Sequence, residues 1–291
     1  MVKESKSDRL FEIGIILFLL LACVSVAYPV LLIVSSSFSD PVAVLKGKVN
    51  LFPVNPTLSL YKMVFKNSEI WGSYRNTLIY TTVGTLVNVS LTAMGAYPLS
   101  RRDMFGRNFF MILFMITMFF GGGMIPGYLL VKQLGLINSM WALILPGAVS
   151  TWNLIIMRTF FQNTIPLELQ ESAFIDGASD LRIFLQIILP LSSSILAVMT
   201  LFYGVGHWNS WFSALLYLSK RSKYPLQIIL REILIQSSTQ EMSGGAISDQ
   251  EMIGEGIKYT TMVIATFPIL CLYPFLQKHF VKGVMVGAIK G

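Results

Sequence analysis

Long apolar runs that hold almost no charge constrain this chain more than any other feature. An α-helix rises 1.5 Å per residue, so about 20 apolar residues cross a hydrocarbon core of about 30 Å. Runs of that length cover approximately residues 12–37, 74–100, 108–133, 139–161, 183–212 and 259–281. A charge at the centre of a spanning helix costs about 2.5–3.5 kcal/mol on insertion scales. The scarcity of Asp, Glu, Lys and Arg in these windows therefore predicts an all-α integral membrane protein. It has six transmembrane helices in a single domain, 1–291. Composition agrees: 54% of residues are hydrophobic and 13% are charged. That is about half the charge of an ordinary soluble domain. Mean hydropathy is +0.65.

The N-terminus needs separate treatment. Lys3, Lys6 and Arg9 precede Leu20-Leu21-Ala22-Cys23, which looks like a lipoprotein cleavage box. The apolar run continues to Val34, however, and a signal h-region is only about 7–15 residues long. The expectation is an uncleaved first span. Pro29, Pro98, Pro146, Pro190 and Pro268 interrupt the spans. They read either as packing kinks or as irregular backbone beside a translocation path, since a bundle can satisfy freed backbone groups. Gly121-Gly122-Gly123 followed by Pro126 predicts a real break.

Several chemistries are excluded. The net charge is +7, but basic loops follow from the positive-inside bias, and no nucleic-acid motif is present. Two cysteines and two histidines without metal spacing give no metal site. There is no GxxxxGK[ST] cradle, so ATP is not bound by that route. Neither GxSxG nor HExxH occurs, so no catalytic residues are assigned. The spans carry no evident proton relay of the kind that ion-driven transporters use. If the chain moves a solute, the energy comes from elsewhere.

Two connections are long, Phe38–Gly72 and Ser213–Lys258. Within the second, YPLQIILREILIQ places Leu226, Ile229, Leu230, Ile233 and Leu234 on one face at helical spacing. It reads as a short amphipathic helix. The polar, Gly-rich stretch after it, Ser237–Lys258, reads as a floppy loop or as a partner contact.

The most informative connection is TIPLELQESAFIDGASDLRIFLQIILP, residues 164–190. Pro166 suits a helix first turn. Glu168 and Glu171 fall near the positive N-terminal end, where carboxylates are favoured. Leu169, Ala173 and Phe174 share a stripe. Small Ala173, Gly177 and Ala178 permit close approach by another surface, and Gly177 lets the chain leave helical geometry. A short surface helix over about 166–178 follows, too polar to span. On these grounds alone it is either an ordinary interhelical connection or a docking element.

Here a resemblance enters. Glu171-Ser172-Ala173, then Gly177, then Ile187 and Leu189-Pro190 resembles the EAA loop of ABC-importer permeases. Ser172 stands where that family usually has Ala. WNSWFSALLYL, YPLQIILREIL and the tail YPFLQKHFVKGVMVGAIKG look like carbohydrate-uptake permeases of the MalG type. Within these, the chain looks most like the LplC/YtcP kind, linked to complex or uronate-containing oligosaccharides.

The resemblance implies an ABC type I importer permease fold, with 166–178 as a cytoplasmic coupling helix between spans four and five. Glu171, Ser172, Ala173, Phe174, Asp176, Gly177 and Ala178 would meet a cytoplasmic ATPase subunit. The implied partners are a second homologous permease subunit, two ATPase subunits, an extracytoplasmic sugar-binding protein and membrane lipid, with no nucleic acid. ATP and Mg would sit on the ATPase subunits, and no cofactor is bound by this chain directly. The implied location is a bacterial cytoplasmic membrane with both termini inside. Charge counts on the two faces tie, so the docking loop rather than the tally sets this orientation.

For the solute path, Trp152, Asn153, Tyr203, Trp208 and Asn209 stand out, with His207 and Trp211 nearby. Aromatic faces and amides suit sugar rings. Trp and Tyr also gather at membrane interfaces as anchors, so both roles stay open. Two other readings compete. A stand-alone secondary transporter of a small polar solute would need an intramembrane ion site. A membrane enzyme would need clustered acids or histidines at a membrane surface.

Overall fold

The structure, a computed structural model, describes residues 6–242, 254 and 256–271. Among the described residues every regular element is helical. The helices are α1 (Lys6–Ser37), α2 (Pro41–Leu45), α3 (Ser59–Lys66), α4 (Ser68–Ser100), α5 (Arg107–Phe119), α6 (Met124–Gln133) and α7 (Trp141–Ile144). There follow α8 (Thr151–Thr164), α9 (Leu167–Ile175), α10 (Asp180–Ile183), α11 (Leu189–Leu191), α12 (Ser193–Trp208), α13 (Phe212–Tyr217) and α14 (Leu226–Met242). The last described helix is α15 (Gly256–Cys271). They gather into two compact units, one within Met1–Ile70 and Leu230–Phe267, the other within Trp71–Ile229 and Pro268–Gly291.

In the first unit, α1 carries 32 residues, about 48 Å of helix. Its apolar window is not buried within the chain at all, so lipid or another protein must cover it. The foot of α1 ends in buried Ser35, Ser36, Ser37 and Ser39. Their hydroxyls knit the following segment to the helix. Ser35 Oγ donates to Leu51 O at 2.7 Å, and Val54 N–H donates to Ser39 Oγ at 3.0 Å. Phe38 stacks on Tyr61 with centroids 5.0 Å apart. The expected loop Phe38–Gly72 is thus an ordered cap with its own helices, α2 and α3. Gly256 packs so tightly on this cap that a Cβ there would lie 2.7 Å from Leu60 Cδ1.

In the second unit, α4 is the organising element, and most of it belongs here. It has 33 residues, about 50 Å of helix. Near its start, Asn76 Nδ2 donates to Ser222 O at 2.9 Å, and Leu226 N–H donates to Thr77 Oγ1 at 2.8 Å. In its middle, Thr92 Oγ1 shares a 2.7 Å hydrogen bond with Tyr203 Oη of α12. At its end, Arg158 Nε and Gln162 Nε2 of α8 donate to Leu99 O and Ser100 O, each at 2.9 Å. These two side chains satisfy carbonyls that a helix C-terminus leaves without intrahelical partners. The core joins Ala93, Ala96 and Tyr97 to Met157 and Phe161 of α8, Ala173 of α9, Ile183 of α10, and Ile195, Met199 and Tyr203 of α12. Met157 is fully buried, and truncating such a side chain to Ala costs about 2–5 kcal/mol.

The expected spans need correction in three places. Only α1 and α4, among the described residues, are long and apolar enough to cross a membrane unaided; three bent pairs reach that length jointly. The 108–133 run is α5 and α6, bent by 114°. The break falls at Phe120–Gly123, where the glycine cluster foretold it, and Gly123 takes a φ of 84°. The 139–161 run bends by 57° between Trp141–Gly147 and α8. Pro146 closes a 3-10 turn there, and Ser150 caps the restart by accepting from Asn153 N–H at 3.5 Å. The 183–212 run bends by 82°. A π-turn at Phe184–Ile188 leads to Pro190, and the helix restarts at Ser193 and ends at Trp208. Proline removes a backbone donor and crowds the preceding turn, which accounts for the last two bends.

The amphipathic helix is also longer than expected, running on as α14 to Met242. Ile228, off the expected stripe, is buried with Leu226 and Ile229. The rest of the expected Ser237–Lys258 loop lies largely outside the described residues, as do 272–281 of the sixth run and the C-terminal tail motif.

Candidate functional site

The helix expected over about 166–178 is present but shorter, α9 running from Leu167 to Ile175. Pro166 takes the N-cap position of α9, one residue before the helix begins, with Glu168 in the first turn. Glu171 lies in the second turn, beyond the residues that feel the helix N-terminus most. The helix closes with a complete Schellman motif. Gly177 N–H donates to Phe174 O at 3.0 Å and Ala178 N–H to Ala173 O at 2.9 Å, the pairing that satisfies the last carbonyls. Gly177 has a φ of 78°, and a Cβ there would meet nothing within 4 Å. Within this chain its requirement is conformational, since left-handed backbone penalises a Cβ. Ser179 Oγ then accepts from Arg182 N–H at 3.4 Å and starts α10.

The stripe expected from spacing divides in two. Ala173 and Gln170 are buried, whereas Leu169 and Phe174 are exposed. Ala173 faces the core shared with α4 and α8. The outward surface carries Leu167, Glu168, Leu169, Glu171, Ser172, Ile175 and Asp176. Ile175 is 86% exposed. Ser172 turns its hydroxyl back to Leu169 O at 3.2 Å, so the departure from Ala adds no projecting donor. Ala178 is half-buried against the core.

Arg101, just beyond α4, ties this region together, and sequence reasoning treated it only as part of a basic connection. Its Nε donates to Asp103 Oδ1 at 2.9 Å, its Nη2 donates to Asp103 Oδ2, and its Nη1 pairs with Asp180 at the start of α10. Its guanidinium also covers the ring of Phe174. The bond from Arg101 holds the Asp103 carboxyl below the usual carboxylate range. The same pairing raises the Arg101 guanidinium further above its ordinary value. One side chain thus links the end of α4 to both α9 and α10.

The solute-path candidates separate into buried and exposed sets. Tyr203, Trp208 and Asn153 are buried. Tyr203 Oη bonds Thr92 and accepts from Ser150 N–H at 3.0 Å, which joins it to the N-cap of α8, whose first turn carries Trp152 and Asn153. Trp208 packs edge-on against Tyr74, with centroids 5.9 Å apart. Trp152 and Asn209 are exposed. His207 faces α4: Asn88 Nδ2 lies 3.1 Å from its Nε2, and a Cβ on Gly84 would lie 2.5 Å from that nitrogen. The contact set missed by sequence reasoning is the α4 stripe Thr81, Thr85, Asn88 and Thr92. Its spacing of four, three and four residues was a readable signal. Thr81 Oγ1, Thr85 Oγ1 and Asn88 Oδ1 are buried without a hydrogen-bond partner.

Broken apolar helices, two helices long enough to cross a membrane, and a short surface helix clamped by an arginine are the build of an integral membrane protein. The chain belongs to a family described as "Binding-protein-dependent transport system inner membrane component", whose model matches residues 89–286. It is 43% identical to "Polygalacturonan/rhamnogalacturonan transport system permease protein YtcP" of Bacillus subtilis (strain 168), over 98% of this chain and 99% of that protein. It is 44% identical to "Protein LplC" of the same organism, over 99% of this chain and 97% of that protein. Among solved structures it is similar to a chain from "Crystal structure of a bacterial ABC transporter involved in the import of the acidic polysaccharide alginate". The TM-score is 0.86 at 32% identity, covering 96% of this chain and 100% of that one.

Proposed function

We propose that this chain is the transmembrane permease subunit of an ATP-driven, binding-protein-dependent importer of sugars, and that its solutes are oligosaccharides containing acidic, uronate-type units. Family membership supports the transport role. The acidic sugars named for YtcP and for the alginate transporter support the solute class. In this reading the chain forms a pore with a second permease subunit. Two cytoplasmic ATPase subunits bind ATP and Mg and supply the work. An extracytoplasmic binding protein delivers the sugar, and both termini lie in the cytoplasm. The chain itself does no covalent chemistry.

The observation that carries the coupling role is the build of α9. Its inner face is anchored by Ala173, while its outer face combines exposed Leu169 and Ile175 with Glu171 and Asp176. Asp176 sits at the helix C-terminus, where the dipole disfavours a carboxylate by roughly 0.3–1 kcal/mol. A charge that works against its own helix is best explained by a partner outside the chain. Arg101 gives the motion of α9 a rigid route into α4 and α10. An ATPase that moves α9 therefore moves the ends of several membrane helices together.

Purification of the chain from its native membrane in detergent tests this reading. The expected result is recovery of an ATPase and a second permease with this chain. In liposomes, galacturonate or alginate oligosaccharides should enter only when all subunits and ATP are present. Uptake by this chain alone would establish the secondary transporter instead.

A further inference from the structure

A cavity of about 970 Å³ lies beside α9. Its walls are the 100–109 segment between α4 and α5, the end of α8 and the first half of α9. Arg101, Arg102 and Arg107 line it together with Glu168 and Gln170. Arg101 is neutralised by Asp103 and Asp180. Arg102 and Arg107 form no ion pair among the described residues, so two cations face one carboxylate, Glu168. The first turn of α5 adds to this balance. Its N-cap is Gly106, which has no side chain to cap the helix. Arg107, Asn108 and Phe109, all on the lining, therefore bring the positive end of a 13-residue helix to the cavity, a favourable position for an anion. Gln170 gives a separate sign of a ligand: it is 7% exposed and lines the cavity, yet its Oε1 has no hydrogen-bond partner. A ligand hydroxyl would satisfy it.

The cavity's place in the fold limits what that ligand can be. α4, the α5–α6 pair and α8 all belong to segments long enough to cross a membrane, and the cavity lies where they end. Its lining includes apolar surface that is open to the outside: Phe109 is 61% exposed. A free phosphate would use neither this ring nor most of the volume. We infer that the cavity holds the headgroup of an anionic phospholipid. The phosphodiester meets Arg102, Arg107 and the start of α5. A headgroup hydroxyl reaches Gln170, and the acyl chains pass along Phe109. Basic pockets at helix ends on a membrane face are suited to such lipids.

Native mass spectrometry of the full-length protein, exposed to equal amounts of phosphatidylglycerol and phosphatidylcholine, tests the assignment. Phosphatidylglycerol should be retained in preference. Arg102→Gln and Arg107→Gln should each weaken its retention about fivefold, whereas exposed Lys46→Gln should not. Size-exclusion profiles check folding, and Arg102→Gln decides alone if Arg107→Gln aggregates. Millimolar inorganic phosphate should fail to displace the lipid. Equal retention of the two lipids, indifference to the arginine changes, or displacement by phosphate would overturn the assignment.

Discussion

Arg101 lies over Phe174, its guanidinium carbon 4.9 Å from the ring centroid, although 73 residues separate them in the chain (174 − 101). With the Asp180 pair, this contact fixes α9 and α10 to the end of α4. A partly exposed cation–π contact contributes about 0.5–1 kcal/mol, and an exposed ion pair about 0.2–1 kcal/mol. Arg101→Ala should therefore loosen the helix by roughly 1–2 kcal/mol. ATP-driven uptake should fall about tenfold while the amount of protein in the membrane is unchanged. Arg101→Lys should be intermediate, because it keeps the charge and loses the fork. Uptake normalised to membrane abundance measures both.

Asp103 gives the clamp a pH signature. Its carboxyl is held below the usual range by the bond from Arg101. A depressed folded value means that the contribution is full above the unfolded value, about 3.9, and is lost as pH falls through the folded one. The clamp should thus stay closed through neutral and mildly acidic pH. A carbon-13 titration of Asp103 should show a midpoint below about 3.9, and Arg101→Gln should move that midpoint upward.

Gly177 should rank substitutions by backbone geometry rather than size, since its φ is 78° and the space around it within this chain is open. Left-handed backbone costs a residue with a Cβ about 1–2 kcal/mol, less for Asn. Uptake should decline in the order Gly, Asn, Ala, Val. A ranking by side-chain volume alone, with Asn worse than Ala, would place the constraint at a contacting surface instead.

Tyr203 and Asn209 should behave differently although both were solute-path candidates. Tyr203→Phe removes a buried hydroxyl that bonds Thr92 and Ser150 and should cost about 1–3 kcal/mol of stability. A lowered Tm would show this. Asn209→Ala, at an exposed position, should leave Tm unchanged. If it meets solute, the change appears in the KM for uptake.

Much of this architecture is written locally. The 12–37 run reads as a spanning helix because its one charge, Glu12, stands at its edge, and it lies within α1. Gly121–Gly123 marks a break because clustered glycines cannot hold a helix, and α5 and α6 part there. Pro166 and Gly177 flank α9, one residue before its start and two past its end. Other features depend on distant partners. Nothing near Arg101 announces Phe174 or Asp180. Trp208 could serve equally as an interface anchor or a packed ring until Tyr74 is placed beside it. The bends at Pro146 and Pro190 were legible as irregularities, but their angles of 57° and 82° were not. Leu169 and Ala173 lie one turn apart and still face different surroundings, because α9 is held at its inner edge only.

Cysteine trapping at Ile175 tests the central claim most directly. With Cys23 and Cys271 replaced by Ser, Ile175→Cys should form an adduct with the ATPase subunit in inside-out vesicles, and its yield should change when ATP is added. A membrane-impermeant thiol reagent should fail to label it from outside intact cells. Labelling from outside, or full uptake activity with the cysteine blocked and no ATPase adduct formed, would contradict the assignment of α9 as the coupling helix.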